Sequence, residues 1–188
     1  VGGMKHITAE TEPAPANFYG DSKLQAELKL REREDESCRV AIVRTPMVYG
    51  PGSKGNFPLL KKMAEKLPVF PTVPNRRSMI YVEHLAEFLR LLAESGEGGI
   101  FFPQNEAYVS TWEMVRAIGA ASSKRILPCK LLDPFVSLAS KCPGKVGKLA
   151  DKAFGSFTID QELSRRQFDG YCRYSLEESI RKIYETGE

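Results

Sequence analysis

The chain has 188 residues, of which 42% are hydrophobic and 27% charged; this is enough apolar material for one good core and excludes compositional disorder. The formal net charge is only +3 and basic residues alternate with acidic ones, so nothing demands a nucleic-acid partner. The four cysteines, Cys38, Cys129, Cys142 and Cys172, form no Cys-x-x-Cys, and His6 and His84 are the only histidines, so no metal site is expected and reduced thiols fit a cytoplasmic protein. No apolar run approaches a membrane span, and residues 1–6 carry no signal-peptide core, so no membrane partner is expected.

Residues 1–16 read as a loop, because Pro13 and Pro15 hold their predecessors extended and no apolar periodicity is present. A helix is expected from about Tyr19 to Arg33, placing Tyr19 and Lys23 one turn apart on a single face. That spacing is chemically useful, since an ammonium beside a phenol favours the phenolate and suits a tyrosine to acid/base work. The run 40–43 is short, β-branched and uninterrupted, as expected of a parallel strand covered on both faces. It ends in the Pro/Gly-rich stretch 44–52, and in open α/β sheets ligands bind just past the carboxyl ends of strands.

An amphipathic helix is expected over 56–66, with Pro58 in its first turn and Asn56 or Phe57 at its cap. Capping does not exclude anion binding by Asn56, because free N–H groups at a helix N-terminus attract anions. A short extended piece at 69–70 and a turn lead to a strand over 78–82 and a helix over 83–92, with Leu85, Phe88, Leu89 and Leu92 on one stripe. After a turn and short strand at 98–103, Ser110 and Glu113 form a capping box for a further helix, in which Trp112 is expected to pack. A partly buried helix is expected over 135–140. The stretch 144–148 holds a Gly-x-x-Gly with lysines but no strand before it, so it reads as a solvated basic loop. Ser175 is expected to cap a terminal amphipathic helix over 176–184.

The segment from Tyr19 through Gly20, Ser22 and Lys23 to Glu27 resembles the Tyr-Gly-x-Ser-Lys-x-x-x-Glu signature of extended short-chain dehydrogenases/reductases, and more particularly the NAD-dependent epimerase/dehydratase family that includes UDP-glucose 4-epimerases. Glu10 and Pro15 stand at positions compatible with the family's approach to the catalytic tyrosine. The resemblance implies that Tyr19 is the acid/base and that Lys23 binds the nicotinamide ribose. The stretch from Arg44 through Val48, Tyr49 and Gly50 to Pro51 is similar to the family's segment beside the nicotinamide, which implies cofactor contacts at Pro46 and Val48. By the same resemblance Asn56 and Arg77 would hold the diphosphate of a nucleotide sugar, Arg77 being preferred over Arg76 because it matches the family's arginine. Ser78 and His84 replace the two acidic residues of that element.

The family's Gly-x-x-Gly-x-x-Gly turn is absent, so the resemblance maps the chain onto the C-terminal half of the family and favours a piece of a longer enzyme over a natural partial homologue. It implies an α/β fold: residues 1–55 as a remnant of a Rossmann-like NAD-binding domain, and 56–188 mainly as a smaller substrate-binding lobe. The function it implies is an NAD-dependent nucleotide-sugar epimerase or dehydratase acting on a UDP-linked sugar, inactive as these 188 residues alone, with possible homodimerisation through the Tyr19 helix. The competing readings are an NADP-linked carbonyl reductase of the same superfamily and a non-catalytic binding or dimerisation module.

Overall fold

The computed structural model describes residues 6–165 and 168–186. Residues 1–5, part of the expected leading loop, lie outside them. The elements, in order, are β1 (His6–Ile7), α1 (Phe18–Arg31), β2 (Ala41–Val43), β3 (Met47–Tyr49), α2 (Phe57–Lys66), β4 (Val69–Phe70), β5 (Met79–Tyr81) and α3 (Val82–Ser95). There follow β6 (Gly99–Phe101), α4 (Thr111–Ala121), β7 (Leu127–Pro128), a 3-10 turn at Lys130–Leu132, α5 (Asp133–Lys141), α6 (Lys145–Phe154), β8 (Thr158–Ile159), α7 (Gln161–Arg165) and α8 (Leu176–Glu185). Among the described residues no helix is long and apolar enough to cross a membrane.

Every named strand pairing is parallel: β1 with β8, β2 with β6, β3 with β5 and β4 with β7. The α/β class expected from the sequence is therefore the class observed. Parallel neighbours need crossovers: α2 lies on the connection from β3 to β5, and α3 on the connection from β2 to β6. The larger core gathers Tyr49, Phe57, Leu60, Phe70, Met79, Tyr81, Met114, Ile118, Ile180 and Ile183 between α2, α4, α8 and the β3–β5 pair. Trp112 packs against this cluster as expected. A smaller one sets Ile80, Phe88, Leu92, Phe101 and Tyr171 on the other face of β5. All three residues of β5 are consequently buried.

The amphipathic helices fall where their periodicity puts them, and two of them start at complete capping boxes. Ser110 accepts from the Glu113 N–H while Glu113 accepts from that of Ser110, and Ser175 and Glu178 repeat the arrangement on α8.

Five expectations are corrected. Residues 6–7 are a strand, because β8 arrives from the far end of the chain to pair with them. Residues 47–49, read as part of a Pro/Gly turn, are a strand because the buried β5 offers them a parallel ladder. The 40–43 strand is not covered on both faces: Ala41 is exposed and Ile42 and Val43 half-buried, with β6 on one edge and no strand on the other among the described residues. Asn56 stands at the cap position of α2 without a capping hydrogen bond, its amide being used elsewhere. Residues 145–148 are the first turn of α6 rather than a loop, because α6 docks on α5.

Candidate active site

Asn17 sets the start of α1: its backbone is extended and its side chain accepts from the Gly20 N–H at 2.9 Å. With the first turn fixed there, Tyr19, Lys23 and Glu27 follow one another at four-residue intervals along one face. Tyr19 is 70% exposed, and the Lys23 Nζ lies 5.6 Å from its ring centroid. The ammonium thus stands beside the phenol, as the sequence spacing requires.

Glu27 is the end of that face that is tied down. It is the one buried residue of α1, and Arg44, just past the carboxyl end of β2, grips it through Nε at 3.1 Å and Nη2 at 2.6 Å. This two-pronged pair fixes the helix against the strand end. Neither residue was singled out for this from sequence, although both stand in the quoted motifs. The face and the strand end enclose an open depression of about 680 Å³, lined among others by Pro15, Tyr19, Lys23, Ile42 and Thr45. Pro46 and Val48 do not line it: Pro46 is buried, and Val48 pairs with Ile80 and packs on the smaller core.

Asn56 and Arg77 are brought together at a second place. The Asn56 amide donates to the Lys152 carbonyl at 2.9 Å, and the Arg77 guanidinium donates to the same carbonyl at 2.8 Å and to that of Ala153 at 3.1 Å. Both therefore converge on the C-terminal end of α6, whose exposed carbonyls carry the negative end of the helix dipole. Burial lowers the Arg77 pKa, against the opposing pull of Asp151. Arg76 points elsewhere, over the Tyr108 ring at 5.3 Å. The Tyr19 face and the Asn56/Arg77 pair line different cavities.

His84, which replaces a carboxylate of the family's pattern, is buried and built into the core. Its Nε2 accepts from the Tyr174 N–H at 3.1 Å, so Nδ1 carries the proton and donates to Asn105 Oδ1 at 2.9 Å. Asn105 in turn donates to the Tyr49 hydroxyl at 3.0 Å, which meets Ser179 Oγ at 2.8 Å. Burial pushes the His84 pKa below its ordinary value, despite the Asn105 contact and the charges of Glu83 and Glu106. The same burial raises the Tyr49 pKa. These groups are held in their neutral forms and act as structure.

Parallel pairs, a Tyr/Lys/Glu helix face at a strand's carboxyl end and a separate Asn/Arg pair invite comparison with known proteins. A family described as "RmlD substrate binding domain" matches residues 3–140. The chain belongs to that family. It lies within the extended short-chain dehydrogenases/reductases, as the Tyr19 signature implied. The UDP-glucose 4-epimerase of Vibrio cholerae is 31% identical over 179 residues, covering 92% of this chain and 54% of its own. An N-acetyl-alpha-D-glucosaminyl-diphospho-ditrans,octacis-undecaprenol 4-epimerase of Escherichia coli O157:H7 is 27% identical over 175 residues, covering 88% of this chain and 53% of its own. Among solved structures, the dTDP-glucose 4,6-dehydratase of Bacillus anthracis in complex with NAD superposes with a TM-score of 0.67 at 20% identity, covering all of this chain and 58% of that one. The likeness to that dehydratase shows the fold. The chain spans about half the length of the curated relatives it matches.

Proposed function

We propose that these residues form the acid/base and diphosphate-anchoring part of an NAD-dependent nucleotide-sugar epimerase or dehydratase. The observation that carries the proposal is the Tyr19–Lys23–Glu27 face, clamped by Arg44 and bordering an open depression at the carboxyl end of β2. That is where an α/β sheet binds its ligand. The exposed phenol and ammonium there fit the ribose and nicotinamide of the cofactor. When bound, the cofactor would accept a hydride from a sugar carbon and return it.

The chain's own residues do the rest. Tyr19 takes the proton of the sugar hydroxyl, with the Lys23 ammonium held over its ring. Lys23 also donates to the ribose hydroxyls. Glu27 and Arg44 keep the helix face in register with the strand end. Asn56 and Arg77 anchor the diphosphate, which replaces the neutral carbonyls of Lys152 and Ala153 with charged acceptors about twice as strong. The end of α6 must give way for that to happen. In this reading residues 1–55 belong to the cofactor side and 56–188 mainly to the substrate side. A UDP-linked sugar is the substrate class suggested by the named activity of the Vibrio cholerae relative.

The experiment is conversion of UDP-galactose to UDP-glucose in the presence of NAD, by an enzyme in which a Gly-rich dinucleotide-binding half precedes these 188 residues. The residues alone, having no such turn, are expected to show no turnover. Robust turnover by them alone would move the cofactor site elsewhere and contradict the assignment.

A further inference from the structure

The segment 129–155, which comprises the 3-10 turn, α5 and α6, exposes five large apolar residues while Leu132, Val136 and Phe154 are half-buried. Leu131 is 82% exposed, Phe135 70%, Leu138 65%, Val146 60% and Leu149 58%. Leu131, Phe135 and Leu138 follow one helical stripe, and Val146 and Leu149 another. The two helices pack chiefly on each other, at a place where Gly147 lets the backbones meet: a Cβ there would run into the carbonyl of Cys142.

Charge collects on the same hairpin. Of the 27 basic and 24 acidic residues in the chain, residues 129–155 hold five lysines and two aspartates, leaving 22 of each elsewhere. The whole net charge of +3 therefore resides here. Asp133 is taken up by the body of the protein, accepting from the Thr72 N–H at 2.7 Å and hydroxyl at 2.9 Å, whereas Asp151 is exposed and lies within reach of the charge of Arg77. Lys130, Lys141, Lys148 and Lys152 are exposed and carry no ion pair among the described residues. The hairpin is fastened to the body by Asp133, by the α6 carbonyls on Asn56, Arg77 and Thr111, and by Phe154 against Phe70.

We infer that α5 and α6 dock on an anionic lipid surface, their leucines, valine and phenylalanine entering the headgroup region and their lysines pairing with lipid phosphates. A large apolar patch on a soluble body marks an interaction surface. Ammonium groups on long stems beside that patch are the chemistry of an interfacial amphipathic helix, since the stems cover apolar surface while the charges reach the phosphates. Nucleic acid would use the lysines but leave Phe135 and Leu138 in water. A second copy of the chain would bring like charges together. This surface departs from the expectation of no membrane partner, and it does not depend on the proposed catalytic role.

The test is co-sedimentation of the 188-residue protein with vesicles of phosphatidylglycerol and phosphatidylcholine in equal parts, against vesicles of phosphatidylcholine alone. Binding is expected to the first and to fall steeply with salt. The double variant Lys148→Gln/Lys152→Gln should weaken the partition coefficient roughly 25-fold, at about fivefold for each charge removed. The triple variant Leu131→Ser/Phe135→Ser/Leu138→Ser should abolish binding, and Phe18→Ser, equally exposed but on α1, should leave it unchanged. Circular dichroism confirms that each variant folds. Failure of the wild type to bind the anionic vesicles, or equal binding by the triple variant, would overturn the inference. So would a lipid-free dimer, seen by ultracentrifugation, that the triple variant abolishes while vesicle binding is absent.

Discussion

His84 gives the clearest pH dependence in the molecule. Its folded pKa lies below the value of 6.5 it has when unfolded, because burial opposes the charge and Nε2 must stay unprotonated to accept from Tyr174. Well above the unfolded value of 6.5 both states are neutral and the full stability is present. As pH falls from there towards the depressed folded value, the unfolded chain binds a proton that the folded one refuses, so stability is lost. Melting temperature should therefore drop between about pH 7.5 and about pH 5, and His84→Gln should flatten that slope while lowering stability throughout. A wild-type slope no steeper than the variant's would contradict a buried His84 that stays neutral in the fold. Glu27 offers a second residue-scale check. Glu27→Ala strips the Arg44 guanidinium of both carboxylate acceptors at a half-buried site, leaving it its place over the Phe102 ring, and should cost about 1.5–3 kcal/mol in chemical denaturation.

At the scale of elements, two glycines hold approaches that no other residue permits. Gly50 ends β3 with φ +137°, and a Cβ there would stand 2.5 Å from Val82 Cγ1 at the start of α3. Gly50→Ala should destabilise the whole core by about 2 kcal/mol or more, read as a shift in the denaturation midpoint. Gly147→Ala acts more locally. It pushes α6 off the end of α5, so the amides of α6 should lose about 1–3 kcal/mol of protection in native-state hydrogen exchange while those of β5 hold theirs. The same glycine explains what the sequence hides. The capping boxes at Ser110 and Ser175 are legible because their signals lie within four residues. Gly144 and Gly147 argue locally against a helix, and α6 forms nonetheless because α5 receives it. The two-residue strands β1 and β8 are illegible for a related reason, each existing only through a partner some 152 positions away, the separation of His6 and Thr158. Tyr19 and Lys23 could be picked out as a candidate site only from their spacing together with the flanking residues that resemble the family signature, whereas the meeting of Asn56 and Arg77 on one α6 carbonyl could not be read at all.

Across the whole molecule, order and exposure divide unevenly. The β3–β5 pair is sealed between two apolar clusters, while α1 exposes Phe18, Tyr19, Leu28 and Leu30 and is held chiefly by Glu27. In the isolated 188 residues the amides of α1 should exchange much faster than those of β5, and slow to core-like rates only when another surface, a cofactor-binding half or a second copy, covers the helix. Core-like exchange in a proven monomer would contradict that arrangement. The catalytic proposal makes the same helix the working face. Its most direct test is the turnover of UDP-galactose by the enzyme completed with a Gly-rich half, compared with its Tyr19→Phe variant, which keeps the ring and removes the proton-transfer group. The account predicts a loss of roughly 10²-fold or more with the fold intact, and turnover unchanged by the substitution would contradict it.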